Sequence, residues 1–232
     1  MFMSRTIVGA FVSLAIGSAQ AALIDRGGGL IYDTDLDVTW MANASLSASN
    51  NFGALGLINP TGTMNWSTAR EWLDAMNSQN YLGFSNWRLP TTLYPDPTCA
   101  NVSGGHGCIG SEMGHLFYEE LGGVAGADIA TTHNSNYSLF QDIQSNWYWS
   151  GTGFTQAPQT PNDHAWTFYF PGGVQSTLAV EDVTAVWAVR DGDVAVNVLP
   201  EPGTLPIAMV ALGALGVVVR RGKLKMTQES CT

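Results

Sequence analysis

Between Ala22 and Pro202 the chain has no lysine, and its only cationic side chains there, histidines aside, are Arg26, Arg70, Arg88 and Arg190. Eighteen of the nineteen acidic residues fall in the same stretch, which therefore carries a formal charge of −14. Such a surface repels phosphate backbones and anionic headgroups, and it excludes nucleic acid as a partner. Charge of either sign is sparse, at 12% of residues, whereas aromatics reach 10%, a balance that excludes intrinsic disorder. Cysteine is nearly absent, with Cys99, Cys108 and Cys231 only. That number excludes a disulfide-dense scaffold, and the spacing excludes a zinc ribbon. Catalytic signatures are missing as well. Ser150 lies in Trp-Ser-Gly-Thr without a Gly-x-Ser-x-Gly elbow, and no ordering of His and Asp singles out a triad. No internal repeat is visible. These gaps point to a protein that is not an enzyme.

What is present begins at the ends. Arg5 supplies a positive start, Thr6 to Gly17 form a short apolar run, and Ser18-Ala19-Gln20-Ala21 closes with small residues. The pattern predicts a signal peptide over residues 1–21, cut by signal peptidase after Ala21. At the other end, Pro200-Glu201-Pro202 precedes an apolar run from Leu205 to Val219, followed by Arg220, Arg221, Lys223 and Lys225. Fifteen helical residues span about 22 Å, and snorkelling cations with local thinning of the bilayer make up the difference to a roughly 30 Å core. The cations keep the C-terminus cytoplasmic, so the middle of the chain is expected outside the inner membrane. Residues 200–221 closely resemble the PEP-CTERM sorting signal of Gram-negative bacteria. The resemblance implies recognition by an exosortase through Pro200, Glu201, Pro202, Arg220 and Arg221, passage through an inner-membrane intermediate, and delivery to the cell surface or an extracellular, polysaccharide-rich biofilm matrix. The tail, residues 197–232, departs from the pattern in the length of its basic end (220–232).

The middle, residues 22–196, is long enough for one domain with its own core. Gly27 to Tyr32 and Val38 to Trp40 predict a hairpin around Asp33, Asp35 and Asp37. Asn65 or Ser67 caps a helix carrying Trp66, Ala69, Leu73 and Met76 at helical spacing, ending near Asn77. Ser111 is expected to cap a second helix with Met113, Leu116, Phe117 and Leu121 on one face and Gly122-Gly123 as its stop. Strands are expected at Trp147–Gly151, Ala165–Phe170, Val174–Thr177 and Ala185–Arg190. Two helices followed by antiparallel strands predict an α+β fold.

Trp66-Ser67-Thr68-Ala69, Asn86-Trp87-Arg88-Leu89-Pro90-Thr91, Ser111-Glu112-Met113, Leu116-Phe117, Tyr148-Trp149-Ser150-Gly151-Thr152 and Ala188-Val189-Arg190 occur in this order. Together they resemble the DUF1566, or Lcl C-terminal domain, family over nearly all of residues 27–193. The resemblance implies a C-type-lectin-like fold related to formylglycine-generating enzymes, used in surface attachment and biofilm, with no established catalytic site to carry across. A degenerate or unrecognised enzyme on that scaffold is the alternative.

Four groups of side chains suggest chemistry. Asp33-x-Asp35-x-Asp37 offers hard oxygen ligands for calcium, although Val38 and Ala44 occupy the positions where an EF-hand needs Gly and Glu. Cys99 and Cys108, bracketing a Gly-rich loop in an oxidising compartment, suit a disulfide, with zinc ligation beside His106 as the alternative. Glu112, His115 and Glu119 share a helical face, half of a di-iron motif whose other half has no match. Trp147, Trp149 and Trp166 suit stacking on sugar rings, whereas Trp66, Trp87, Trp149 and Trp187 belong to the ordered pattern and suit a core. Arg88 and Arg190 are expected to partner carboxylates.

Overall fold

Asp33 and the residues after it make the first fixed point of the chain. Its Oδ1 accepts hydrogen bonds from the backbone N–H of Asp35 and of Leu36, both at 3.1 Å, an Asx turn that reverses the chain. Asp37 completes the reversal at φ 51°. The turn joins β2 (Leu30–Asp33) to β3 (Val38–Met41) with Ile31 opposite Trp40. A strand not expected from the sequence, β1 (Leu23–Gly27), pairs with β2 on its other side. The computed structural model describes residues 23–156 and 160–194; the signal segment 1–21 and the tail 197–232, with its apolar run 205–219, lie outside them. Among the described residues no helix is long and apolar enough to cross a membrane.

Helix α1 (Trp66–Ser78) starts where its cap dictates: Asn65 Oδ1 accepts the Thr68 N–H at 2.9 Å. Its buried face carries Ala69, Trp72, Leu73 and Met76. Helix α2 (Glu112–His115) is only one turn and runs directly into a π-turn over Leu116–Glu120. Ser111 precedes α2 but does not cap it with its side chain. Its hydroxyl instead donates to Asp96 Oδ2 and accepts from the Leu93 N–H, both at 3.0 Å. A further short helix, α3 (Ile129–Thr132), is capped by Asp128.

The second sheet contains β4 (Trp147–Gln156), β5 (Thr160–Tyr169) and β6 (Val174–Ala179), antiparallel in that order. Of the buried run Ala185–Arg190, only its end becomes a ladder strand, β7 (Val189–Asp191). β7 pairs with β3, with Val189 opposite Trp40, and completes the first sheet in the order β1-β2-β3-β7. The residues before it bond elsewhere: the Ala185 N–H donates to the Trp147 carbonyl and the Trp149 N–H to the Ala185 carbonyl, both at 3.0 Å. One segment thus touches both sheets, which is why its sequence is apolar without alternation. Mixed helix and antiparallel sheet agree with the α+β expectation.

Long connections are held by indole N–H groups. Trp66 donates to the carbonyl of Ser150, Trp72 to Asn50, Trp87 to Tyr81, Trp149 to Met64 and Trp187 to Met41, at 2.6–3.1 Å. Trp40, Trp72, Trp149 and Trp187 are fully buried and Trp87 nearly so, whereas Trp66 is only partly buried. Trp72, Trp87, Trp149 and Trp187 therefore fill the core and satisfy a backbone carbonyl at once, whereas the buried Trp40 indole N–H has no such partner.

Candidate functional site

The α2–π segment decides which side chains meet. Residues five apart lie on different faces of an α-helix, but a π-turn brings them into line. His115 and Glu120 are aligned in this way, with Nε2 3.5 Å from Oε1. Glu119, expected on the His115 face from α-helical spacing, does not take that place, because the turn widens before it. The third member is Asp33, at the end of β2. One ligand atom from each of Asp33, His115 and Glu120 lies within 4.8 Å of the other two.

Asp33 is completely buried, Glu120 is 1% exposed and the His115 side chain is largely buried. Asp33 Oδ2, His115 Nε2 and both Glu120 carboxylate oxygens have no hydrogen-bond partner. Glu120's carboxylate raises the imidazole pKa above its ordinary value, against the opposing effect of burial. At 3.5 Å that attraction is an ion-pair contact rather than a formed hydrogen bond. Burial, with Glu120's charge adding to it, pushes the Asp33 carboxyl up, while the N–H groups of Leu36 and Asp35 act the other way.

Asp35 and Asp37 point to a different outcome from the one their spacing suggests. Both are exposed, and Asp37 accepts a hydrogen bond from the Tyr32 hydroxyl at 2.9 Å. Among the described residues, the ligand set containing Asp33 is completed by His115 and Glu120, not by Asp35 and Asp37. The two ends of the described region do come together through β3 and β7, yet Asp191 is taken by Arg88 and Asp193 by Arg26. Glu112 faces away from His115's partners: its two oxygens accept from the Arg88 guanidinium at 2.8 Å each, and one also takes the Thr91 N–H at 2.7 Å. Arg190 differs from expectation. Its guanidinium donates to the Asn86 side chain and to the carbonyls of Gly192 and Asp193, and lies 4.2 Å from the Phe84 ring centre.

Cys99 and Cys108 are joined by a disulfide, and His106 is engaged elsewhere, its Nδ1 3.1 Å from the Gly172 carbonyl. The closed loop is fastened to β6. Gly105 and Gln175 exchange both backbone hydrogen bonds at 2.8 Å, and the buried Gln175 amide donates to the Ser103 carbonyl at 2.8 Å. Beside this junction opens a cleft of about 350 Å³. One wall is aromatic: Tyr94, 56% exposed, lies 5.9 Å from Phe154 and 5.6 Å from Trp166 between ring centres. The rest is Asn101, Val102 and the polar residues Gln175, Ser176 and Thr177. Of the tryptophans suited to sugar stacking, Trp149 is in the core and Trp166 is nearly buried beneath this cleft. Trp147 packs against Tyr169. The exposed ring is Tyr94, which periodicity does not mark because it lies in an irregular segment.

No known protein family, curated protein or solved structure compared with the chain matches it.

Proposed function

We propose that the chain is an exported, exosortase-sorted, non-enzymatic protein of the cell surface or extracellular matrix, whose folded domain binds polysaccharide. The observation that carries the binding reading is the cleft between the disulfide loop and β6, with the exposed Tyr94 ring above amide and hydroxyl groups. Aromatic faces with a few convergent polar groups suit a pyranose, which is apolar on its ring face and hydroxylated at its rim. The acidic balance of the domain favours neutral rather than anionic sugars. A disulfide supports an oxidising destination, in keeping with the signal peptide and the PEP-CTERM-like tail. The ordered tryptophan motifs support a C-type-lectin-like, formylglycine-generating-enzyme-like domain. An enzyme using cysteine chemistry on that scaffold is less well supported, since the two cysteines among the described residues are bonded to each other.

Binding of the purified chain to a panel of immobilised neutral polysaccharides tests this reading. Tyr94→Ala is expected to weaken retention about five- to thirtyfold with an unchanged far-ultraviolet circular dichroism spectrum, since stacking on one aromatic ring is worth about 1–2 kcal/mol. Retention that Tyr94→Ala leaves intact, or no retention on any polysaccharide, would sink the assignment.

A further inference from the structure

The Asp33, His115 and Glu120 cluster is built like a ligand set and lacks the partners that would make it an ordinary polar core. Native interiors pair their buried polar atoms, and buried carboxylates above all. Here four donor atoms from three side chains, Asp33 Oδ2, His115 Nε2 and both oxygens of Glu120, are buried in one place without a hydrogen bond, His115 and Glu120 meeting only in their 3.5 Å ion-pair contact. Among the described residues, no arginine or lysine pairs with either carboxylate. The single imidazole cannot balance two carboxylates.

We infer that Asp33, His115 and Glu120 hold one divalent transition-metal ion, zinc for preference, which clips the β2–β3 hairpin to the π-turn. The donor inventory fits. Asp33 Oδ1 is committed to two backbone N–H groups, so Asp33 offers a single oriented oxygen, the kind of outer bonding that fixes a ligand. Neither oxygen of Glu120 is held by a hydrogen bond, and His115 adds a nitrogen. Four donors, two negative charges and a neutral imidazole match a four-coordinate divalent ion without residual charge. An imidazole in the set favours zinc over calcium or magnesium, which take oxygen ligands almost exclusively. The π-turn has its own purpose in this reading, since it is what places Glu120 beside His115. Its geometry is held from behind: the Glu120 carbonyl accepts from the side-chain amides of Asn134 and Asn136, both at 2.9 Å. Three residues supply these donors, and their burial keeps the ion from bulk solvent.

The full chain, solubilised in detergent under non-reducing conditions and stripped with chelator, is dialysed against zinc chloride and passed through a desalting column. Elemental analysis is expected to find about one zinc per chain, and zinc addition to raise the unfolding temperature. Glu120→Gln and Asp33→Asn keep side-chain shape, and His115→Ala removes the nitrogen. Each is expected to weaken zinc more than the roughly 10–100-fold that loss of an outer hydrogen-bond partner costs. Asp35→Asn and Asp37→Asn are expected to keep full loading, which separates this site from an aspartate-turn calcium site. Wild-type chain that stays zinc-free yet unfolds cooperatively would overturn the assignment. So would loading that survives Glu120→Gln together with His115→Ala, or binding of calcium alone with loss on Asp35→Asn. Should a variant fail to fold, the wild-type shift in unfolding temperature between stripped and zinc-loaded chain decides the matter.

Discussion

Arg88 shows how a scarce residue type becomes a hub. Its guanidinium meets Glu112 through two parallel hydrogen bonds, Asp191 through Nε at 3.0 Å, and the Leu89 carbonyl at 3.1 Å. It thereby ties the start of α2 to β7, while its own backbone bridges Val189. Burial alone lowers the guanidinium pKa, but Glu112 and then Asp191 more than offset it and leave it raised. Because Arg88 is partly exposed, solvent screens the pairs and their loss falls short of that for a fully buried ion pair. Arg88→Met is expected to cost about 2 kcal/mol, read as a lower urea midpoint at unchanged slope. Adding Glu112→Gln should return part of the loss, because it removes the carboxylate left unpaired. A double variant as unstable as the sum of both singles would contradict the pairing. That Arg88 pairs with carboxylate was legible from its rarity in an acidic domain; which carboxylate was not, since Glu112 and Asp191 come near it only through tertiary structure.

At the level of elements, the closed Cys99–Cys108 loop acts as a rigid block fastened to β6 by Gln175. Opening it with Cys99→Ser and Cys108→Ser together is expected to cost about 2–3 kcal/mol, from the closure of a roughly ten-residue loop. Calorimetry of the oxidised wild type against the double variant measures that cost; equal unfolding temperatures would show that the Gln175 bonds alone hold the loop. The pairing itself was legible from spacing and compartment. So was α1, because an Asn cap and helical periodicity agreed. Helix α2 was legible only in part. Its apolar face persists into the π-turn, so Leu116 and Phe117 fit either geometry, and an i, i+5 pair such as His115 and Glu120 has no periodic signature to find. Strand β1 has no clear sequence signature, because Leu-Ile-Asp-Arg-Gly is short, mixes apolar and charged residues and lies at a sheet edge. The run Ala185–Arg190 reads as buried strand, but its backbone divides its bonds between two sheets, and a sequence shows burial rather than partners.

For the whole molecule, the cations are unevenly distributed: the tail holds Arg220, Arg221, Lys223 and Lys225, while residues 22–202 are acidic. If the tail is the sorting signal its motif suggests, changing Pro200-Glu201-Pro202 to alanines should leave the chain in the inner-membrane fraction and remove it from the surface and medium. Fractionation and immunoblotting against the unaltered chain read this directly; unchanged delivery would refute exosortase sorting.

The pairing of β3 with β7 also sets a timetable. Trp40 emerges early, yet its neighbour Val189 and the covering ring of Trp187 are among the last described residues to appear. Until they do, the earlier sheet lacks an edge and the core lacks a wall, and long-range closure of this kind is slow. A chain that has not yet acquired β7 therefore leaves the open side of β3 unpaired and Trp40 without the Trp187 ring against it. The first sheet is complete only when that final strand arrives.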